Sequence, residues 1–427
     1  MQVISRDQHC ISRKNISDSA LKVMSRLRRN GDQAYLVGGA VRDLLLGKRP
    51  KDFDIATDAT PEAVHALFRN SRIIGRRFRI VHVRFGREII EVTTFRGHHD
   101  NNDSDSHGNS RGNTSRQSES GLLLRDNVFG TLEEDAVRRD LTVNALYYDA
   151  GKFEVFDHVN GLQDLERKNI RIIGEPAVRF REDPVRMLRV VRFAAKLEFT
   201  IEQTTADAIP QCATLLYEIP SARLFDEFLK LFLAGYAAQT LQKLLDYDLL
   251  RALFPATCDY LEEGSTGLAL IHAAMANTDK RIAQQKPVTP AFILAALLWP
   301  VVSHLSQQFE QGGDAPMVAM HKAGQQTVYQ AAQTIAIPKR FSQPMREIWE
   351  FQLRLQRKQG RKAAELVEHR RFRAAYDFLL LREQAGVDTR GLGDWWTEFQ
   401  TLSMEQRLEQ VANRGNQQGH KRKSQSS

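Results

Sequence analysis

A glycine pair followed closely by two alternating aspartates is the feature that most restricts how this chain can fold. The run Ala34–Val37 is short and apolar, as in a buried strand, and it ends in Gly38-Gly39. Residues 40–46 have a helical pattern, which Gly47 would close. Asp52-Phe53-Asp54 then leads into the next strand, which is predicted at 53–56. The sequence therefore predicts a strand, a glycine turn, a helix and a second strand in succession.

The two aspartates are predicted to act together. Residues two apart in a strand face the same side, so Asp52 and Asp54 would point into solvent while Phe53 packs into the core. Such a pair of like charges is unfavourable for stability, but its carboxylate oxygens suit Mg²⁺. Metal ions held there would serve an in-line displacement of pyrophosphate by a hydroxyl group. A surface Asp-x-Asp beside an ordinary turn is the alternative interpretation.

The glycine turn is predicted to receive a triphosphate. Gly38 and Gly39 would let the backbone approach the phosphates, whose charge would lie at the N-terminus of the helix. Arg42 would add a charge-assisted contact.

Together these residues resemble a known family signature. Gly38-Gly39-x-x-Arg42-Asp43 with Asp52-x-Asp54 is similar to the head signature of class II nucleotidyltransferases, the group of bacterial poly(A) polymerases and tRNA CCA-adding enzymes. The resemblance implies that Asp52 and Asp54 bind the catalytic Mg²⁺ ions, with Mn²⁺ as an alternative. It also assigns Asp43, with the glycines and Arg42, to the nucleotide pocket.

Glu91 is a candidate third carboxylate. It lies on a strand predicted at 88–95 and would contribute by lying alongside the aspartates. An ordinary exposed strand glutamate is an equally good interpretation.

A second block, 134–145, resembles the family's RRDFTxNA motif, with Leu141 where Phe is usual. The substitution keeps an apolar contact. The resemblance implies that Arg139 and Asp140 contact the ribose and the triphosphate, and that Asn144 holds the local architecture. A solvated helix end of mixed charge is the alternative for each residue.

A third block resembles the family's base-reading EDxxR element, here Glu182, Asp183 and Arg186. A carboxylate and a guanidinium match adenine, which presents an amino donor beside a ring-nitrogen acceptor. Cytosine presents the same order and guanine and uracil the reverse, and a good bidentate pair discriminates by ~1–3 kcal/mol. No template strand is required. Arg189 continues this stripe, either towards phosphate or as a solvated basic face.

The choice between polyadenylation and CCA addition depends on the segment 73–83. CCA-adding enzymes tend to follow its Phe with Gly-Thr, whereas this chain has Arg79-Ile80, and the basic run with His82 resembles poly(A) polymerases. Residues 372–382 and 393–399 resemble their helical body. We therefore expect a polynucleotide adenylyltransferase that extends RNA 3′ ends with ATP. CCA addition, and a non-enzymatic RNA-binding protein on the same fold, are the alternatives.

The predicted fold class is α+β: an N-terminal α/β nucleotidyltransferase head with a mixed sheet, followed by an all-helical neck, body and tail. Helical periods dominate from Asp183 onward. The predicted domains are an N-terminal extension and helix, a head with a mobile surface loop at 97–121, a helical neck, a helical body and a disordered basic tail, at 1–30, 31–174, 175–240, 241–412 and 413–427.

Composition limits the partners and the compartment. The formal net charge of +8 favours a polyanion such as RNA. Three widely spaced cysteines suggest neither a disulfide framework nor a zinc site, and we expect a cytoplasmic monomer. The longest apolar run, 292–302, is too short for a transmembrane segment and predicts one buried helix. RNA-decay or RNA-chaperone proteins are candidate partners. Trp395 and Trp396 are expected in the core.

Overall fold

The chain forms two compact units, Met1–Leu215 and Leu216–Ser427. The computed structural model describes residues 1–75, 79–97, 128–262 and 264–412, with the backbone of 116–117 and 123–125. The first unit holds the main sheet and the helices around it. The described part of the second unit is helical.

The strands are short, as expected for a small mixed sheet. They are β1 (Gln2–Ile4), β2 (Ala34–Val37), β3 (Asp54–Thr57), β4 (Ser71–Ile74), β5 (Ile80–Phe85), β6 (Glu88–Thr94), β7 (Arg116–Gln117), β8 (Leu123–Arg125), β9 (Leu146–Asp149), β10 (Glu154–Asp157), β11 (Asn169–Ile170) and β12 (Thr200–Ile201). The main sheet has the order β1-β10-β9-β2-β3-β6-β5-β4. β3 and β6 are parallel and the other neighbours antiparallel, so the predicted mixed sheet is confirmed.

Helices surround the sheet and build the second unit. They are α1 (Asp18–Arg29), α2 (Gly39–Leu45), α3 (Pro61–Leu67), α4 (Leu132–Arg138), α5 (Gly161–Glu166), α6 (Pro176–Glu182), α7 (Val185–Leu197), α8 (Gln203–Cys212), α9 (Ser221–Phe232), α10 (Ala237–Asp246), α11 (Leu249–Leu253), α12 (Pro255–Cys258), α13 (Thr266–Ala283), α14 (Pro290–Leu297), α15 (Trp299–Gln311), α16 (Pro316–Ala332), α17 (Lys339–Arg354), α18 (Arg361–Leu366), α19 (Phe372–Gln384) and α20 (Leu392–Phe399). The predicted succession of helices after the sheet is confirmed.

The two faces of the sheet bury different clusters. Ile55 belongs to the cluster that packs with α1, whereas Ala56 belongs to the cluster that packs with Ala136 of α4. Because side chains alternate along a strand, Asp54 shares its face with Ala56. Asp54 therefore lies on the face of the sheet that packs against α4.

The strand β3 begins at Asp54, so the predicted strand at 53–56 is displaced by one residue. The reason is the pairing of β3 with β2: Val37, the last residue of β2, pairs with Asp54, so residues before Asp54 have no partner on β2. The chain leaves the sheet at Gly38, which has φ +74°. Asp52 therefore precedes the strand rather than forming part of it, and it is exposed.

The apolar run at 292–302 is not one helix, which corrects the prediction. It is divided between α14 and α15, whose axes bend by 56°. Pro300 lies in the first turn of α15, where its missing N–H is tolerated. Among the described residues, no single helix has the length and hydropathy needed to cross a membrane, and only this bent pair meets the criterion jointly. Trp395 and Trp396 are 8% and 0% exposed, which confirms their predicted place in the core.

Two predicted segments fall largely or wholly outside the described residues. The predicted mobile loop at 97–121 has only Gly97 and the backbone of β7 described, and the predicted basic tail at 413–427 has nothing described.

Replacing Asp157 by alanine should destabilise the first unit. The Asp157 carboxylate is 3% exposed and accepts hydrogen bonds from the backbone N–H groups of Val159, Gly161 and Leu162. Their loss leaves buried donors unsatisfied, so urea unfolding should show a loss of roughly 2–4 kcal/mol. The control Glu166→Ala changes an exposed carboxylate nearby and should cost much less. An equal loss of unfolding free energy in the two variants would contradict the stabilising role of the Asp157 hydrogen bonds.

Candidate active site

A glycine, a carboxylate and a guanidinium meet at the end of β2. Gly38 has φ +74° and ψ −135°, a conformation that residues with a side chain rarely adopt. A methyl group on Gly38 would lie 3.7 Å from Nη1 of Arg139 and 4.0 Å from Oδ2 of Asp54. The structure therefore brings together three residues that were predicted from two separate sequence blocks.

Three carboxylates are concentrated around β3. Asp54 pairs in register with Glu91 on the parallel strand β6, while Asp52 precedes Asp54 by two residues. Burial, the Glu91 charge and the Asp52 charge raise the pKa of Asp54 to about 6, although Arg139 acts in the opposite direction. Glu91 thus lies alongside Asp54, and its catalytic role stays a prediction. Its other neighbour is His82, whose Nε2 is 3.2 Å from the Glu91 Oε1.

The Arg139 side chain is held by two buried groups. Its Nε and Nη2 donate to Oδ2 of Asp135 at 3.2 and 3.1 Å, and its Nε also donates to the Tyr147 hydroxyl at 2.8 Å. The Tyr147 hydroxyl donates to the same Asp135 oxygen at 2.6 Å, and burial raises the pKa of this phenol. Asp135 and Tyr147 therefore fix the guanidinium next to Asp54.

Arg42 is almost fully buried and bonded within the protein. Its Nη1 donates to Oδ1 of Asn144 at 2.5 Å, while its Nε and Nη2 donate to Oδ1 of Asp43 at 2.9 and 2.6 Å. These bonds tie α2 to the turn before β9. The predicted contact of Arg42 with a triphosphate stays a prediction, and so does the supporting role of Asn144, whose side chain accepts the bond from Arg42.

Asp140 forms an ion pair with Arg189 and accepts from the Leu141 backbone N–H at 2.8 Å. Burial alone would raise the pKa of the Asp140 carboxyl, but the Arg189 guanidinium and these hydrogen bonds lower it to about 2. Two of the predicted nucleotide-binding residues are therefore partners in this structure.

The base-reading block is also internally paired. Oε2 of Glu182 accepts from Nη1 of Arg186 at 2.7 Å and from Nη1 of Arg179 at 2.7 Å. Asp183 follows directly, after the end of α6. Glu182 thus orients Arg186, and direct base contacts of the three predicted residues stay a prediction.

Sequence reasoning missed Asp135, Tyr147 and Arg179 as site residues. Asp135 lay inside a recognised motif, but only the folded chain brings it to Tyr147 on β9. Among the described residues, no three His, Cys, Asp or Glu side chains form a ready-made metal site.

The glycine turn, the carboxylates of adjoining strands and the basic residues facing them define a nucleotidyltransferase head. Residues 34–171 match the family model of the Poly A polymerase head domain. Residues 198–261 match "Probable RNA and SrmB- binding site of polymerase A", and residues 312–427 match "Polymerase A arginine-rich C-terminus".

The chain belongs to the poly(A) polymerase I family. It is 51% identical to Poly(A) polymerase I of Salmonella typhimurium over 405 residues, which cover 94% of this chain and 86% of the relative. The Poly(A) polymerase I of Haemophilus influenzae is 44% identical over 95% of this chain and 89% of its own length. A CCA-adding enzyme of Bacillus pumilus is 38% identical over 57% of each chain.

Solved structures agree in fold. The Bacillus stearothermophilus CCA-adding enzyme in complex with CTP has a TM-score of 0.54 at 26% identity, covering 92% of this chain and 81% of that one. The Thermotoga maritima CCA-adding enzyme complexed with tRNA has a TM-score of 0.61 at 18% identity, covering 94% and 87%. The predicted fold class and family resemblance are confirmed, as is the prediction of a polynucleotide adenylyltransferase. Nucleotidyltransferases of this kind generally use divalent metal ions.

Gly38→Ala should impair both stability and activity. The backbone strain should cost about 1–3 kcal/mol of unfolding free energy. The methyl group next to Asp54 and Arg139 should displace the nucleotide, so kcat/KM for ATP should fall on the order of 100-fold.

The matched control for Gly38→Ala is Gly47→Ala, at φ +69° with no atom within 4 Å of the added methyl group. It should lose stability but retain activity. If Gly38→Ala loses no more activity than Gly47→Ala, Gly38 does not line the nucleotide site.

Asp140→Asn should change the pH dependence of stability. Because the folded-state pKa of about 2 lies below the ordinary value of about 3.9, ionised Asp140 stabilises the fold above about pH 4. This contribution is lost as the pH falls through about 2. The unfolding free-energy gap between wild type and Asp140→Asn should be largest near pH 7 and should narrow below about pH 4. The exposed control Asp207→Asn should show no such narrowing, and a constant gap for Asp140→Asn would refute the ion pair's role.

Proposed function

We propose that this enzyme polyadenylates RNA 3′ ends without a template, by the reaction ATP + RNA(n) → RNA(n+1) + diphosphate. The observation that carries the proposal is the meeting of the Gly38 turn with the Asp54 carboxylate and the Arg139 guanidinium. A backbone free of side-chain bulk and a fixed cation suit a triphosphate, and a carboxylate beside them suits its metal ions. Membership of the poly(A) polymerase I family supports ATP and RNA as the substrates.

Asp52 and Asp54 are the proposed ligands of Mg²⁺, with Mn²⁺ as an alternative and Glu91 as a third catalytic carboxylate. The raised pKa of Asp54 supports this, because burial and then the neighbouring Glu91 charge disfavour the ionised carboxylate, and a divalent cation would offset both effects. When bound, the metal ions activate the RNA 3′-hydroxyl and neutralise the leaving diphosphate. Arg139, next to the Gly38 turn, would bind the triphosphate.

The nucleobase is proposed to be read by Asp183 and Arg186, with Glu182 orienting the Arg186 guanidinium. Asp140 and Arg189 would contact the ribose and phosphates as a pair, and Arg42, Asp43 and Asn144 would support the turn that carries Gly38 and Gly39. The two arginines differ in burial: Arg42 is 1% exposed, whereas 34% of the Arg189 side chain is exposed.

We propose the five domains in the bounds given above, and a cytoplasmic monomer. The net charge of +8 supports sequence-independent attraction to RNA phosphates, which should weaken with salt. The family model that names an RNA and SrmB binding site supports RNA-decay or RNA-chaperone proteins as partners.

Asp54→Asn should abolish tailing. The change keeps the shape of the side chain and removes the charge proposed to hold the metal ions, so kcat should fall at least about 1,000-fold. Product length on denaturing gels is the measurement, and Asp18→Asn, an exposed carboxylate in α1, is the control. Tailing by Asp54→Asn at the wild-type rate would contradict the proposed metal site.

One assay separates the candidate functions. The purified protein is given a generic RNA primer or a tRNA, with each nucleoside triphosphate in turn. Long tails on the generic primer with ATP are expected. A product limited to a few nucleotides on tRNA would indicate CCA addition, and binding of RNA without any extension would indicate a non-enzymatic protein.

A further inference from the structure

Arg179 is a buried arginine that joins two parts of the site. Its Nη1 donates to Oε2 of Glu182 at 2.7 Å. Its Nη2 donates to the backbone carbonyl oxygens of Arg138 at 2.7 Å and Arg139 at 2.8 Å. One guanidinium therefore holds three acceptors, which come from α6 and from the end of α4.

At one end of this link lies Arg186, a proposed base-contacting residue, with Glu182, which orients it. Nη1 of Arg186 donates both to Oε2 of Glu182 at 2.7 Å and to the backbone oxygen of Arg179 at 2.9 Å. Arg179 and Arg186 thus share one carboxylate oxygen, and the backbone of Arg179 receives the second bond. Loss of the Arg179 guanidinium would remove one donor from Glu182, and a shift of the Arg179 backbone would weaken the second bond of the Arg186 Nη1.

At the other end lies the residue that faces Asp54. The two carbonyls held by Arg179 belong to the last residue of α4 and to Arg139. The Arg139 guanidinium is bonded to Asp135 and Tyr147, and the Arg139 carbonyl oxygen is bonded to Arg179, so the position of the guanidinium depends on both sets of bonds. If the backbone here moved, the guanidinium would leave its position next to Asp54.

Only an arginine can make this set of bonds. A guanidinium presents its donors in a rigid planar fork, whereas the single ammonium of lysine lacks that geometry. Burial and the neighbouring Arg186 lower the pKa of Arg179 to about 10, so the group remains charged near pH 7. Burying that charge is unfavourable unless several acceptors surround it, as they do here.

We propose that Arg179 is a positioning residue that sets the distance and angle between nucleobase recognition by Arg186, which Glu182 orients, and triphosphate binding at Arg139. The inference rests on the proposed function of these three residues. Arg179 acts through them and not by touching the nucleotide. The base of the correct nucleotide would then contact Arg186 only when its triphosphate is bound at Arg139. Arg179 therefore contributes to the choice of nucleotide.

The test is nucleotide selectivity rather than activity alone. For Arg179→Lys, the ratio of kcat/KM for ATP to kcat/KM for GTP should fall about tenfold, since one misplaced bidentate contact is worth about that much. KM for ATP should rise. A purely structural role would reduce the amount of active enzyme equally for both nucleotides and leave the ratio unchanged.

The matched control is Arg171→Lys in the same unit. Arg171 bonds to Asp164 and pairs with Glu202, outside the candidate site, so its replacement should leave the ratio at the wild-type value. Arg179→Gln, which keeps an amide donor for one carbonyl, is the second variant should Arg179→Lys not fold, as judged by circular dichroism. A folded Arg179 variant with the wild-type ratio overturns the inference. If the wild-type protein fails to extend RNA with any of the four nucleoside triphosphates, the proposed function is overturned instead.

Discussion

The partial burial of the Asp54 carboxylate beside Glu91 is the constraint on which the rest of the site depends. Two acidic groups on adjoining parallel strands repel each other, and burial strengthens the repulsion. The fold tolerates the arrangement because Arg139 offsets part of the charge. This arrangement is unfavourable for stability alone, and under the proposed function the metal ions that accompany the nucleotide would offset the repulsion.

Buried hydrogen bonds hold the charged side chains of the candidate site in place. Asp135 and Tyr147 orient Arg139 from its side chain, and Arg179 holds its backbone. Arg42 connects the helix after the glycine turn to Asn144. The guanidinium groups of Arg42, Arg139 and Arg179 are hydrogen-bonded within the protein. Under the proposed function, these charges would therefore need little rearrangement when substrate binds.

Local patterns predicted much of the fold and the identity of the central residues. The apolar run Ala34–Val37 and the glycines after it were sufficient to locate β2 and the turn, because strand alternation and backbone freedom are local properties. The start of β3 was missed by one residue, because the register with β2 ends the ladder at Asp54. The break between α14 and α15 at Leu298 was missed, because an apolar sequence does not indicate where a helix ends and the next one begins.

The supporting residues could not be predicted from spacing. Tyr147 reaches Asp135 only because β9 enters the sheet beside β2, and Arg179 reaches the end of α4 across about 40 residues of chain. Motif matching recognises residues that act on substrate, whereas these three act on other side chains or on the backbone. Their roles follow from tertiary contacts, which no short sequence window contains.

The most direct test of the account is a crystal structure with a non-hydrolysable ATP analogue and Mn²⁺, whose anomalous scattering locates the metal. We expect the anomalous peak at the carboxylates of Asp52 and Asp54, with the triphosphate over Gly38 and against Arg139. A metal peak away from these carboxylates, or a nucleotide bound elsewhere on the first unit, would contradict the central claim.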